Sequence, residues 1–187
     1  MSALVVYAHS DPEISRHNLA LAKAASSVSG VTVHDLARTY PDFRIDADRE
    51  AELLVANETI VLQFPMHWYS VPAIAKKWLD DALAFGFAYG PGGNRLHGKR
   101  FWIACTVSGP IESYGGSGRQ PFDVRHSLET YFAFLEQTAL VCGMRWEPPF
   151  VVDRVIWEGL SEAELALSAN AYANRLKAAT AGRGGAS

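Results

Sequence analysis

Four consecutive residues, Ser15, Arg16, His17 and Asn18, stand where an apolar strand gives way to a helix, and their types suit an anion. At a helix start the backbone N–H groups are free and the helix dipole favours negative charge. Hydroxyl, guanidinium, imidazole and amide donors placed there make a site for a phosphate monoester. His9 opens the same loop, which runs Ala8-His-Ser-Asp-Pro-Glu-Ile-Ser-Arg-His-Asn18. On spacing alone a competing reading stands, in which Ser15 only caps the helix and Asn18 is a solvated surface residue. A second loop, Phe64-Pro-Met-His-Trp-Tyr-Ser-Val-Pro72, sets Met66, His67, Trp68 and Tyr69 at the end of a buried strand. Two adjacent aromatic rings suit stacking on a planar cofactor, whereas Trp68 taken alone would serve equally in a core or an interface. A third loop holds Thr106-Val107-Ser108-Gly109 and then Tyr114-Gly-Gly-Ser-Gly118, small residues whose backbone can approach a ring edge closely. A redox ring gains negative charge on reduction, and preorganised backbone donors stabilise that charge. The glycines serve equally well as turn makers.

Other chemistries are disfavoured. The first loop has neither GxGxxG nor GxxxxGK followed by Ser or Thr, so a dinucleotide fingerprint and a P-loop are both missing. His9, Ser10 and Asp11 are adjacent and cannot form a hydrolase triad, and there is no G-x-S-x-G elbow. Cys105 and Cys142 have no CxxC spacing and no His in metal-ligand register, which makes them two reduced core thiols and predicts no metal site. Seventeen basic against twenty acidic residues give a formal charge of −3, and no basic cluster could track a phosphate backbone, so nucleic acid is not an expected partner. The opening MSALVVYAHSD has no basic leader, and its apolar run is far below membrane-spanning length, which argues against export and insertion.

The elements that must position these loops alternate along the chain. At 187 residues the chain suits one domain, expected over residues 1–177 with a frayed Ala- and Gly-rich tail at 178–187. Strands are predicted at Ala3–Ala8, Val31–Leu36, Glu58–Phe64, Lys99–Val107 and around Met144–Val152. Helices are predicted over Arg16–Ser29 and Ala47–Ala56. A third starts from an N-cap at Ser70 with Pro72 just inside it, and a fourth carries Val124 to Ala139. Lys76 with Asp80, and Lys77 with Asp81, pair on the wet face of the third. Ser161-Glu-Ala-Glu164 is a capping box for the last helix, with Leu160 and Leu165 as its hydrophobic staple. Five strands separated by helices argue for an α/β fold, a flavodoxin-like doubly wound parallel sheet covered on both faces. Ligands in such sheets bind beyond the carboxyl ends of the strands where strand order reverses, which singles out the loops after residues 8, 64 and 107.

The block Phe64-Pro-Met-His-Trp-Tyr-Ser-Val-Pro-Ala-Ile-Ala-Lys-Lys-Trp-Leu-Asp-Asp81, then Gly86-Phe-Ala-Tyr-Gly-Pro-Gly-Gly93 and Leu96-His-Gly-Lys99, resembles the NAD(P)H:quinone oxidoreductase family of flavodoxin-like proteins. Tyr40-Pro-Asp-Phe-Arg-Ile-Asp46, with His9 and Ser15–Asn18, is most similar to the ancillary flavoproteins of Kef-type potassium efflux systems. The resemblance runs from about residue 3 to residue 176. It implies FMN, with FAD as the larger alternative, and NADH or NADPH as hydride donor. His9, Ser15, Arg16, His17 and Asn18 match the phosphate and ribityl loop, and Met66, His67, Trp68 and Tyr69 match the segment lining the ring. Thr106, Val107, Ser108 and Gly109 fall where the family has Thr-Thr-Gly-Gly. Val107 and Ser108 depart from that pattern, and Ser108 would be strained if the position needs positive φ. Tyr114, and His67 after it, match the group that donates to a quinone-like acceptor in a ping-pong cycle. The resemblance further implies a cytoplasmic homodimer whose partner closes the acceptor pocket through Phe85–Tyr89. In an alternative role, the chain docks on a potassium efflux antiporter at the inner face of the membrane.

Overall fold

A computed structural model of the chain describes residues 1–116, 123–156 and 159–181. The elements follow in the order β1 (Ala3–Tyr7), α1 (His17–Ser26), β2 (Val31–Asp35), α2 (Leu36–Thr39), α3 (Ala47–Ala56), β3 (Thr59–Pro65) and α4 (Ala73–Ala82). After them come β4 (Arg100–Thr106), α5 (Leu128–Val141), β5 (Arg145–Trp146), β6 (Phe150–Val152) and α6 (Glu162–Thr180). The strands pair only in parallel, in the order β2-β1-β3-β4-β5, with β6 also beside β4. This is the flavodoxin-like doubly wound arrangement, and strand order reverses between β1 and β3.

Strands buried on both faces need near-continuous apolar runs, and β1, β3 and β4 supply them through their middle positions. On one face Leu4, Val6, Ile60, Leu62, Phe101 and Ile103 pack against Ile74 and Trp78 of α4 and Phe132 and Leu135 of α5. On the other, Val5, Val61, Trp102 and Ala104 pack against Leu21 and Ala25 of α1 and Tyr172 and Leu176 of α6. Ile74, Ala75, Trp78, Leu79 and Ala82 form the buried inner face of α4, and its expected Lys76–Asp80 and Lys77–Asp81 pairs form. Both halves of the Ser161–Glu164 capping box are made.

Four boundaries differ from expectation. The anticipated last strand is two short ones, because Pro148 and Pro149 remove consecutive N–H donors between Trp146 and Phe150. The Pro148 carbonyl is instead taken by Arg175, whose guanidinium lies 4.0 Å above the Trp102 ring. Helix α5 begins after an N-cap at Ser127, leaving Val124 to bridge Tyr114. Helix α4 starts one residue after Pro72, since Ser70 closes a turn with His67 instead of capping. At the end of the chain, α6 continues to Thr180 with Ala179 buried, so 178–180 belong to the fold and not to the anticipated tail; residues 182–187 lie outside the described residues.

The α3 side carries a fully buried carboxylate. Glu50 accepts from His34 Nε2 at 2.8 Å, Tyr40 hydroxyl at 2.5 Å and Trp78 Nε1 at 2.6 Å, joining β2, the α2 exit, α3 and α4. Burial alone would raise the Glu50 pKa, but the three donors outweigh it and hold the carboxyl below its ordinary value. A depressed folded-state pKa gives stability that is present above the unfolded-state pKa and lost as pH falls through the folded one. Glu50→Ala strands three buried donors and opens a cavity, and is expected to lower the unfolding free energy by about 3–5 kcal/mol at pH 7 in urea titrations. The gap between wild type and variant should narrow on acidification, and a gap independent of pH would show the carboxylate charge to be irrelevant.

Candidate functional site

The three loops beyond β1, β3 and β4 meet at the strand-order reversal. Helix α1 starts at His17 with Arg16 as its N-cap, and no side chain caps that start among the described residues. Its first N–H groups are therefore left for another acceptor. Ser15 is buried beside Tyr7 rather than capping. His17 Nε2 is buried with no hydrogen-bond partner among the described residues. The His9 ring lies above the same crevice, its Nδ1 accepting from the Asp11 N–H at 3.0 Å, 6.3 Å from the His67 ring. Burial lowers the pKa of both His9 and His17, with His67 adding to the effect at His9 and Arg16 at His17, so both offer neutral imidazoles.

Arg16 sits differently from expectation, and Asn18 decides between the two readings of its position. Arg16 turns away from the crevice, donating to the Leu160 carbonyl at 2.9 Å and pairing with Glu162 at 2.7 Å, so it clamps the start of α6. Asn18 is 2% exposed, which removes the surface alternative. Its Nδ2 donates to Thr106 Oγ1 at 2.7 Å, and its Oδ1 has no partner among the described residues. The Thr106 hydroxyl can donate as well as accept, so a turned-over Asn18 amide would keep this bond and free its N–H groups.

The second loop is a tight turn. His67 and Ser70 exchange both backbone hydrogen bonds at 3.0 Å, while Trp68 and Tyr69 between them have φ of +47° and +64°. Two positive φ values make it a primed turn, a place for Asn-Gly rather than for two bulky aromatics. Such strain persists where the structure uses the side chains it presents. Trp68 is 92% exposed, so it is no part of the core, and Tyr69 stacks on Tyr131 of α5 with ring centroids 5.0 Å apart. Met66 anchors the turn to β4, its N–H donating to the Thr106 carbonyl at 2.9 Å.

In the third loop Val107 points into the core and its N–H is committed to the Val152 carbonyl, so it offers a ligand neither side chain nor donor. The carbonyls of Ser108 and Gly109 are held by the N–H groups of Ile156 and Arg154. Neither residue has positive φ, so Ser108 stands in place of glycine without backbone strain. The Tyr114 hydroxyl lies 3.9 Å from Met66 Sδ, and burial, helped by Cys105, Tyr69 and Tyr131, pushes its pKa up to about 12. It is a proton donor throughout the physiological range. Ser117 and Gly118 lie outside the described residues.

Sequence reasoning missed Gln63, Tyr131 and His126. Gln63 sits beneath α1 and donates to the Asn18 carbonyl at 2.8 Å. Tyr131, inside the helix predicted to carry Val124 to Ala139, meets Tyr69 face to face and both Tyr114 and His126 edge to face. The crevice thus joins an uncapped helix start, a half-buried imidazole whose Nε2 lacks a partner among the described residues, an exposed aromatic turn and a tyrosine donor. That set fits a planar ring carrying a phosphate.

A family model described as flavodoxin-like fold, Flavodoxin_2, matches residues 1–176. The chain is 38% identical over 176 residues to an uncharacterized NAD(P)H oxidoreductase, YdeQ, of Bacillus subtilis, covering 94% of this chain and 86% of that protein. It is 42% identical over 178 residues to the glutathione-regulated potassium-efflux system ancillary protein KefG of Escherichia coli, covering 92% and 91%. The crystal structure of general stress protein 14 from Treponema denticola in complex with FMN superimposes with a TM-score of 0.85 at 30% identity, covering 96% of this chain and all of that one.

Trp68→Gly separates the use of the turn from its cost. Removing an exposed indole at positive φ should leave the unfolding free energy unchanged or raise it by up to about 1 kcal/mol. Loss of a stacking ring should weaken FMN binding roughly three- to tenfold. Fluorescence titration with FMN reads the second effect, and wild-type affinity would show that Trp68 does not face the ring.

Proposed function

The chain belongs to the flavodoxin-like-fold family Flavodoxin_2, and from that premise we propose that it is an FMN-dependent NAD(P)H:quinone oxidoreductase. The observation that carries the reading is the buried, partnerless His17 Nε2 at the uncapped start of α1, across the strand-order reversal from an exposed aromatic turn. One crevice then offers donors to a phosphate and a platform to a ring. FMN held there would supply the hydride chemistry that links NADH or NADPH to a quinone-like acceptor in a ping-pong cycle. The remaining tasks fall to the protein's own groups.

The first N–H groups of α1, His17, His9, Ser15 and Asn18 hold the phosphate end. Trp68 and Tyr69 bound the ring, and the backbone of Ser108 and Gly109 lines its edge. Tyr114 donates a hydrogen bond to the acceptor oxygen and stays protonated to do so, because its pKa is pushed up to about 12. His67, exposed beside His9, is the second candidate donor. Arg16 and Val107 drop out of the ligand set on the contacts described above. A homodimer is supported by the groove of about 310 Å³ between α4 and α5, where Leu79, Tyr89, Phe134 and Val141 offer apolar surface next to exposed Phe85. The likeness to KefG favours a second role, as a subunit docked on a potassium efflux antiporter, compatible with turnover. Among the described residues no helix is long and apolar enough to cross a membrane.

Purified protein should be yellow, bleach anaerobically with NADH or NADPH, and regain its colour on addition of a benzoquinone. Tyr114→Phe should slow the quinone step roughly ten- to a hundredfold while leaving bleaching by the nucleotide unchanged, since a hydrogen bond to a developing charge contributes about 1.5–3 kcal/mol. Flavin-loaded protein that fails to bleach with either nucleotide would overturn the oxidoreductase and leave the antiporter subunit.

A further inference from the structure

The face of the sheet that carries α1 is apolar through the middle of its central strands. Tyr7 of β1 and Gln63 of β3 stand side by side in register at the carboxyl end of the sheet, and Thr106 of β4 lies one step further along. Each points to the α1 face, where strand positions nearer the middle hold Val5, Val61 and Trp102. Gln63 is fully buried in a central strand, an environment that penalises an amide unless it is used.

Its use is specific. Gln63 Nε2 donates to the backbone carbonyl of Asn18, in the first turn of α1, at 2.8 Å. Asn18 passes the connection on through its Nδ2 to Thr106 Oγ1 at 2.7 Å. This chain of two side-chain hydrogen bonds fastens the start of α1 to β3 and β4 at once. Four polar atoms around it, Tyr7 Oη, His17 Nε2, Asn18 Oδ1 and Gln63 Oε1, are buried without hydrogen-bond partners among the described residues. Buried polar networks are normally completed, and a phosphate, which only accepts, can complete this one at His17 Nε2 and at the Asn18 N–H groups once that amide is turned over, while Gln63 Oε1 needs a donor that a phosphate does not supply.

We infer that Gln63 is a positioning residue for the cofactor phosphate: it fixes the height and orientation of the first turn of α1, and with it the free N–H groups and the His17 imidazole. The inference rests on the proposed FMN site. Gln63 touches neither ring nor phosphate in this account and acts through the Asn18 carbonyl. Helix N–H groups bind an anion through short, directional bonds, so a small tilt of the first turn weakens several of them together.

The test compares FMN with riboflavin, which share the ring and differ in the phosphate. In Gln63→Met, close in volume and without a donor, the FMN dissociation constant should rise roughly tenfold, the loss expected when bonds to a charged group are misaligned, while riboflavin affinity stays within about twofold of wild type. A merely structural role would weaken both ligands together, and that result overturns the inference. So does an unchanged preference for FMN. Should Gln63→Met fail to fold, Gln63→Asn keeps the amide but shortens its reach, and the same comparison applies. Wild-type protein that binds FMN no better than riboflavin would overturn the phosphate site itself, and is told apart because it needs no variant.

Discussion

Everything at the site depends on one constraint, that a parallel sheet covered on both faces can open only where its strand order reverses. The crossovers from β1 to β2 and from β3 to β4 leave the sheet in opposite directions, so the loops after Tyr7 and Pro65 diverge and cannot fill the space between them. The crevice is a product of connectivity, and the chain decorates it. Middle positions of β1, β3 and β4 are apolar because helices cover both faces. Toward the crevice the strands turn polar, at Tyr7, Gln63 and Thr106, where Asn18 in the first turn of α1 bonds Gln63 and Thr106 and Ser15 lies beside Tyr7.

The two walls of the crevice are built on different principles. The α1 wall is tied down by buried hydrogen bonds and by the Arg16 clamp on α6. The opposite wall is strained, with Trp68 and Tyr69 held at positive φ by the paired bonds of His67 and Ser70. Local propensity and fold disagree there, and such disagreements concentrate where a protein binds something. The Tyr69–Tyr131 stack offsets part of the strain from the side, while Trp68 has only solvent around it in the described structure.

The elements were legible because their signals are local: strand runs, helical periodicity, the capping box at Ser161 and the i,i+4 pairs on α4 all lie within a few residues. What failed was set at a distance. Arg16 reads as a phosphate ligand by position, yet its carboxylate partner Glu162 lies 146 residues away and no spacing rule reveals it. Gln63 was invisible because one amide in an apolar run reads as strand, and its purpose shows only when α1 is laid across it. Tyr131 was hidden inside an apolar helix face. The divided last strand is the exception, since Pro148-Pro149 lacks the N–H groups that a continuous strand there would need, a signal that is local.

With Arg16 turned to α6, no fixed cation of this loop faces the crevice, and the chain carries a net charge of −3. A phosphate held there would rely on neutral donors, namely backbone N–H groups, a hydroxyl, an amide and two imidazoles whose pKa values burial has lowered. That arrangement has a physical advantage. A permanent guanidinium left without its anion in a half-buried crevice would be a desolvated, unpaired charge, the costliest state a site can have when empty. Imidazoles avoid it by remaining neutral when alone, and an adjacent dianion favours their charged form, so positive charge can arrive as protons with the ligand. The α1 wall can therefore be packed as tightly as a core while empty, and Gln63 and Asn18, neutral and hydrogen-bonded, are the residue types that permit it.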